Sequence, residues 1–172
     1  FVAERATSFQ FKDSIYMDLS GIKLRATTRH CVERAQKHEV EIKVFDETYQ
    51  GNISVFEEMY NASMLRKSAK EHWFYEPGFF QKVMTELNSS RSALILTTHY
   101  GIVESGCVLI FDKDVCYYHW AATFGEHRDL GTNHYQVWAV AQWAKERGCK
   151  ILHLGGGLTS NDSLFMFKAG FS

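Results

Sequence analysis

The sequence predicts a single α+β domain in which helices pack against a mixed β-sheet. Runs that alternate apolar and polar residues, as strands do, are interspersed with runs of helical periodicity. Three strand-like runs follow one another directly in the middle of the chain, which indicates an antiparallel meander. A later strand, helix and strand indicate a parallel pair, because such crossovers are normally right-handed and parallel. The 172 residues, 45% of them hydrophobic, suit one domain with a sizeable core.

The first half of the chain predicts two strands and three helices. The helical runs carry apolar residues at helical spacing, and Pro77 stands at the start of the third, where this residue is favoured. The predicted elements, in order, are a strand at 14–19, a helix at 22–38, a strand at 40–45, and helices at 53–69 and 78–87.

The helix predicted at 22–38 has a basic outer face. Such a face usually solvates an exposed surface, and the alternative is that it binds an anionic ligand. The charge on this face is supplied by Arg25, Arg29, Arg34 and Lys37.

The second half predicts the meander, one helix and a further buried strand. The turns of the meander contain Gly101 and the polar residues 112–114. The later helix has an apolar face, and Gly148 ends it. The predicted strands are 93–99, 102–111, 115–124 and 150–154, and the apolar face of the helix is formed by Val137, Ala141 and Ala144.

The composition limits the class of function. With 19 Lys and Arg against 20 Asp and Glu, the formal net charge of −1 argues against a DNA-binding protein that relies on bulk charge. No apolar run approaches the roughly 20 residues that a membrane-spanning helix needs. The first residues, from Phe1 onwards, lack the pattern of a signal peptide. We therefore expect a soluble chain that is a piece of a longer protein.

The four cysteines are expected to be packing residues in a reducing, cytoplasmic environment. Their separations match neither paired zinc ligands nor a compact disulfide framework. We also expect no metal site, because His127 and His134 flank one loop without two further ligands nearby. The cysteines are Cys31, Cys107, Cys116 and Cys149.

The loop at 128–133 is a candidate anion site. It leads into the predicted helix, whose first N–H groups carry about half a positive charge in sum. Thr132 or Asn133 is expected to cap that helix, and Gly131 would let a ligand approach the backbone. No acidic residue follows the cap, although Asp129 lies just before it. A functional and a purely structural role are equally compatible with this pattern.

The loop after the last predicted strand is the stronger candidate. Three consecutive glycines are costly in backbone entropy, so they indicate an unusual turn or a close approach to a ligand. Ligands also tend to bind beyond the carboxyl ends of parallel strands, where this loop should lie. The structural alternative is a flexible surface turn capped by Asn161 or Asp162. The glycines are Gly155, Gly156 and Gly157.

Two of the eight histidines, both inside predicted strands, are candidate bases. A single core histidine is more often a hydrogen-bonded structural residue. The two candidates are His119 and His153. We find no nucleophile elbow, Walker loop or dinucleotide-binding fingerprint, which argues against covalent and nucleotide-hydrolysing mechanisms.

The order of the elements and the two loops resemble the acyl-CoA N-acyltransferase (GNAT) fold. In that fold an Arg/Gln-x-x-Gly-x-Gly/Ala loop binds the cofactor pyrophosphate. The corresponding residues here are Arg128, Gly131, Thr132 and Asn133, and Asn133 departs from the pattern.

A closer resemblance is to the Fem family of peptidyltransferases, which add amino acids from aminoacyl-tRNA to the peptide of a peptidoglycan precursor. It is carried by Tyr60, Met64, Arg66 and Ala69, and by the closing segment from Gly155 to the Phe167-Lys168 pair and Phe171. The resemblance implies that residues 1–172 form one GNAT-like domain of a longer protein with two such subdomains. It also implies that the sheet lacks its last strands and has an exposed or borrowed edge near 150–154.

The resemblance implies roles for individual residues. Lys168 falls on the lysine that the family associates with the oxyanion of acyl transfer, and Phe167 beside it would position substrate. Arg66 matches a position associated with the anionic acceptor, and the glycines at 155–157 would help to hold substrate. The structural alternatives are a surface Lys168 and an Arg66 that pairs with Glu58 or Glu71.

Three functions remain open on the sequence. The first is an aminoacyltransferase of the Fem type that acts on a cell-envelope precursor, with no tightly bound cofactor. The second is an acyl-CoA-dependent N-acetyltransferase for an amino sugar or small amine. The third is a non-catalytic module that binds a muropeptide or sugar nucleotide. The near-neutral charge does not exclude an aminoacyl-tRNA donor, because a local patch suffices to hold the acceptor end.

Overall fold

The computed structural model describes residues 13–46, 50–125, 128–157, 159 and 162–172, which form helices around one six-stranded sheet. This confirms the predicted mixed sheet with flanking helices. Short 3-10 helices lie at Glu71–Trp73 and Arg128–Leu130. The elements are β1 (Ile15–Asp18), α1 (Ala26–Lys37), β2 (Val40–Phe45), α2 (Gln50–Arg66), α3 (Phe79–Leu87), β3 (Ser92–His99), β4 (Ile102–Phe111), β5 (Val115–Thr123), α4 (Thr132–Glu146), β6 (Ile151–Gly155) and α5 (Ser163–Ala169).

Two of the predicted helices have wrong bounds. Helix α1 begins at Ala26, because residues 22–25 lie outside any helix and Arg25 has ψ 150°. Ile22 and Leu24 nevertheless pack against the core, as alternate residues of an extended segment can. Helix α2 spans Gln50–Arg66, three residues earlier at each end than the predicted 53–69.

The predicted meander is confirmed. The sheet order is β1-β6-β5-β4-β3-β2, and the strands from β2 to β5 pair antiparallel with their neighbours. The tight turn between β3 and β4 has positive φ at Tyr100 (48°) and Gly101 (80°), the combination that two-residue hairpins favour. The sheet is therefore built mainly from local hairpin connections.

Strands β5 and β6 are parallel, as the crossover predicted, but they share only three residue pairs. These run from Val115 opposite Ile151 to Tyr117 opposite His153. Beyond that point β5 continues along β4, while β6 continues along β1. The two strands thus separate at their carboxyl ends.

The edge expected near 150–154, either exposed or covered by a borrowed strand, is not found. Strand β6 lies inside the sheet, with β5 on one side and β1 antiparallel on the other. The residues that cover it come from the opposite end of the described chain, and a local pattern cannot predict such a pairing.

Each face of the sheet carries its own hydrophobic core. Side chains of β3 alternate between them, so that Ala93 and Ile95 join the core under α4 and α5, while Leu94 and Leu96 join the core under α2 and α3. Helix α2 packs closely on β4, since a Cβ at Gly106 would lie 2.8 Å from the Met59 Cε atom. Burial on both faces explains the near-continuous apolar run of β3.

The cysteines are free thiols, as expected. Three are buried in the core beneath α4, which confirms that they are packing residues there, and Cys31 is half-buried. The buried three are Cys107, Cys116 and Cys149. Within the described residues, no helix has both the length and the apolar character to cross a bilayer.

Gln136 of α4 is fully buried and ties the helix to three strands. Its Oε1 atom accepts hydrogen bonds from Thr97 Oγ1 at 3.1 Å and Ser105 Oγ at 2.6 Å. Its Nε2 atom donates to Tyr118 Oη at 2.7 Å. Because each partner lies on a different strand, the network sets how α4 is rotated over the sheet. Desolvation raises the pKa of Tyr118, so the phenol remains neutral there.

We expect Gln136→Leu to lower the free energy of unfolding by about 3 kcal/mol, since it leaves buried hydroxyls without a partner. Gln142→Leu, on the same helix but half-buried, should change it by about 0.5 kcal/mol or less. Urea unfolding of both variants checks this. Equal effects would contradict a structural role for the network.

Candidate functional site

Three segments converge where β5 and β6 separate. They are the glycine loop after β6, helix α5, and the start of α4. Lys168 of α5 contacts the glycine loop, and Phe167 contacts the first turn of α4. This convergence lies beyond the carboxyl end of β6, the usual place for ligands in sheets with parallel strands.

The glycine loop is folded around Asp162. Its Oδ1 accepts from the Phe165 N–H at 2.7 Å, and its Oδ2 accepts from the Thr159 N–H at 3.0 Å. Asp162 is therefore the N-cap of α5, one of the two predicted caps; Asn161 lies outside the described residues. A Cβ at Gly157 would lie 2.4 Å from Asp162 Oδ1, so only glycine allows this turn.

Lys168 points its ammonium at the same loop. The Nζ atom donates to the Gly156 carbonyl at 2.8 Å, and a Cβ at Gly155 would lie 3.5 Å from it. Gly155 has φ 71°, a conformation that glycine adopts without strain. Burial lowers the pKa of Lys168, and the Asp162 carboxylate offsets part of this shift. The structure thus brings Lys168 together with Gly155 and Gly156, and the lysine is half-buried rather than a fully exposed surface residue.

Phe167 joins α5 to the start of α4. Its ring meets the His134 imidazole edge to face, with centroids 4.9 Å apart, and packs on Phe171 at 5.5 Å. Burial lowers the pKa of His134, and the Arg34 guanidinium lowers it further. This contact between residues 33 positions apart in sequence was not predicted, because neither residue belongs to a local motif with the other.

The loop at 128–133 differs from its prediction in two respects. The N-cap of α4 is Gly131 with φ 79°, without a side-chain hydrogen bond, and Thr132 is buried as the first helical residue. The expectation that Thr132 or Asn133 caps the helix is therefore wrong. In addition, a Cβ at Gly131 would lie 2.5 Å from the Cys31 carbonyl oxygen of α1, so packing of α1 accounts for the glycine. The first turn of α4 has no acidic residue, as predicted.

The other residues of this loop contact α1, lie in the first turn of α4, or have side chains outside the part of the chain that the structure describes. Arg34 of α1 donates to the Asp129 carbonyl at 2.6 Å. Asn133 is half-buried in the first turn of α4. The side chain of Arg128 lies outside the part of the chain that the structure describes, and so does His127. The pyrophosphate role of Arg128, Gly131, Thr132 and Asn133 stays a prediction.

Arg66 ends α2 on the other face of the sheet from Lys168. Its Nη2 donates to the backbone carbonyl of Thr123, the last residue of β5. Among the described residues it forms no ion pair with Glu58 or Glu71, the partners that a structural role predicted. Arg66 is exposed, so its remaining N–H groups face solvent beside the end of β5.

A β-bulge in β5 sets the position of His119. Val108 pairs with Trp120 and Leu109 with Tyr118, so His119 is the extra residue. Partial desolvation lowers the pKa of His119, and the nearby His153 lowers it further. His153 Nδ1 accepts from the Gly155 N–H at 3.2 Å, which places the proton of the neutral ring on Nε2. Within the described residues no group of three His, Cys, Asp or Glu side chains could hold a metal ion.

Comparisons with known proteins agree with this architecture. A family model described as an acetyltransferase (GNAT) domain matches residues 23–162. The lipid II:glycine glycyltransferases of two Staphylococcus epidermidis strains are 32% identical over 81 residues, which cover 47% of this chain and 19% of each enzyme.

FemX and L-PGS are two of the solved structures that share the fold. FemX superimposes with a TM-score of 0.78 at 14% identity, over 92% of this chain and 57% of that one. L-PGS from Bacillus licheniformis superimposes with a TM-score of 0.67 at 15% identity, over 93% of this chain and 56% of that one. These likenesses confirm the predicted fold.

Replacement of His134 by Phe should make stability less sensitive to acid. The pKa of His134 is lower in the folded chain than the ordinary value of about 6.5, so below that pH the unfolded chain binds the proton more strongly. Folding stability is then lost as the pH falls through 6.5 towards the folded pKa. His134→Phe keeps the ring contacts and removes this loss. Urea unfolding at pH 7.5 and 5.5 measures the loss of folding stability in the variant and in the parent.

His72→Phe provides the control, since His72 is exposed in a 3-10 helix. Between pH 7.5 and 5.5 the free energy of unfolding of the His72→Phe variant should fall as much as that of the parent. If the free energy of unfolding of His134→Phe falls by the same amount, the pH dependence does not come from His134.

Proposed function

The chain belongs to the acetyltransferase (GNAT) domain family, and on that premise we propose that it is an N-acyltransferase of the Fem type. It transfers an aminoacyl group to an amine of a peptidoglycan or other cell-envelope precursor. The partial identity with the lipid II:glycine glycyltransferases supports this choice of acceptor. That alignment spans about a fifth of the length of each enzyme, 19%. We also propose that residues 1–172 correspond to one of two GNAT-like subdomains.

The single observation that carries the proposal is the half-buried ammonium of Lys168 against the Gly156 carbonyl. An attacking amine forms a bond to the acyl carbon of the donor, and the carbonyl oxygen becomes an oxyanion. Lys168 would stabilise that charge, because a cation held in a partly desolvated site needs little reorganisation when the charge develops. The bond from the acyl carbon to the leaving oxygen or sulfur then breaks, and the leaving group takes up a proton.

Other residues complete the proposed site. Phe167 positions substrate between α5 and the start of α4, and the glycines at 155–157 leave backbone groups open to it. Arg66 would hold an anionic group of the acceptor, since a guanidinium suits phosphate or carboxylate. We propose His119 as the acceptor of the proton lost by the amine, since it lies near His153, which accepts from the Gly155 N–H, and its lowered pKa keeps the imidazole neutral near pH 7. The free buried thiols agree with a cytoplasmic location.

Lys168→Met tests the central role. We expect the transfer rate from glycyl-tRNA to a muropeptide precursor to fall about 100-fold, which corresponds to about 3 kcal/mol of lost oxyanion stabilisation. Thermal stability should be equal or higher, because burial of the ammonium opposes folding at neutral pH. Product formation and the melting temperature are the two measurements.

Lys82→Met, at an exposed position of α3, is the matched control and should keep the parental rate. A folded Lys168→Met that transfers at the parental rate would overturn the assignment. Saturable binding of the precursor, with no product from glycyl-tRNA or acetyl-CoA, would instead favour the non-catalytic module.

An acyl-CoA donor is the second candidate, favoured by the family match and by the start of α4, where no acidic residue repels an anion. GNAT domains use acyl-CoA as a substrate, and the backbone N–H groups of a helix N-terminus attract its pyrophosphate. On this reading Arg128→Ala should weaken acetyl-CoA binding about tenfold in a calorimetric titration. Arg91→Ala, at an exposed position before β3, is the control. Unchanged affinity in Arg128→Ala would count against a CoA donor.

A further inference from the structure

A second surface of the molecule has the chemistry of a binding site. A groove of about 770 Å³ lies between the loop at 20–24, the start of α1 and the outer face of α4. Its size falls in the range of small-molecule sites, about 300–1,000 Å³. None of the residues that line it has a role in the proposed acyl transfer, and only Arg29 belongs to the basic face for which anion binding was an alternative.

The groove is lined by three cations and no carboxylate. Lys23 comes from the loop, Arg29 from α1 and Lys145 from the last turn of α4. Among the described residues, none of the three forms an ion pair. Arg29 Nη2 donates to the Leu24 carbonyl at 3.3 Å, which holds the guanidinium beside the groove and leaves its other N–H groups available. Like charges that converge from separate elements favour an anion between them.

An aromatic wall stands beside these cations. Trp138 of α4 lines the groove and is half-buried, and its ring stacks on Tyr135 with an interplanar angle of 19°. That contact limits the motion of the indole, so it presents a fixed planar surface. Gln142, one turn further along α4, adds an amide that can both donate and accept hydrogen bonds.

We propose that this groove binds a nucleoside phosphate. The phosphate lies among Lys23, Arg29 and Lys145, and the base stacks against Trp138, with Gln142 within reach of its polar edge. Cations for phosphate and an aromatic face for a base are the two features that nucleotide-binding surfaces combine. A free nucleotide and the end of an RNA strand share this chemistry.

The groove is separate from the site around Lys168. His134 marks that site on α4, and Gln142 follows it by eight residues, or about 12 Å along the helix axis. The inference therefore does not depend on the proposed acyl transfer.

Calorimetric titrations of the full chain test it, with AMP, ribose 5-phosphate and a single-stranded RNA pentanucleotide as probes. We expect AMP to bind more tightly than ribose 5-phosphate, and affinity for AMP to fall about tenfold in both Arg29→Gln and Lys145→Ala. Trp138→Leu should abolish the preference for AMP over ribose 5-phosphate. Affinity should also fall as salt is raised from 50 to 200 mM.

Two control variants separate this groove from other cationic surfaces. Lys82→Ala lies on α3, on the opposite face of the sheet, and Arg91→Ala lies at an exposed position before β3; neither should change AMP affinity. Circular dichroism establishes that each variant is folded. Arg29 and Lys145 are exposed, so their replacement does not disturb the core.

The relative affinities of the three probes identify the ligand of the groove. A pentanucleotide that binds at least tenfold more tightly than AMP identifies an RNA strand as the source, and equal affinity identifies a free nucleotide. If ribose 5-phosphate binds as tightly as AMP, the nucleoside part of the proposal is wrong. If none of the three probes binds, or if Arg29→Gln and Lys145→Ala bind AMP as tightly as the parent, the whole proposal is wrong.

Discussion

The separation of β5 and β6 after three residue pairs is the constraint on which the rest of the site depends. Had the strands remained paired, the backbone of Gly155 and Gly156 would be occupied by β5. Instead β6 turns away with β1, and its carboxyl end is free to receive Lys168 from α5. The buried network around Gln136 holds α4 across the same region, so the gap between the strands has a fixed wall.

Much of this architecture could be predicted from the sequence, because its signals are local. Strand β2 and strand β4 have the predicted bounds, and the Asp162 cap and Lys168 lie within a few turns of the glycine loop that they contact. Local periodicity and turn chemistry are sufficient at this range. The start of α1 was misplaced because Ile22 and Leu24 suit an extended segment that packs on the core as well as they suit a helix.

The features that could not be predicted join distant parts of the chain. Ile15 pairs with Gly155, Phe167 packs on His134, and His119 is displaced by a bulge that only the register with β4 defines. A single sequence holds no information on such pairings. The role of Gly131 shows the same limit, since the glycine that suggested a ligand is required by the approach of the Cys31 carbonyl.

Strand β1 has a mechanical consequence for the glycine loop. Its first residue, Ile15, lies opposite Gly155, and the register shifts at the next step, between Ile15 and Tyr16. A force or a displacement applied to β1 therefore acts on the peptide that precedes the Gly156 carbonyl, the hydrogen-bond acceptor of Lys168. A shift of β1 along β6 would therefore change the direction in which the Lys168 ammonium points.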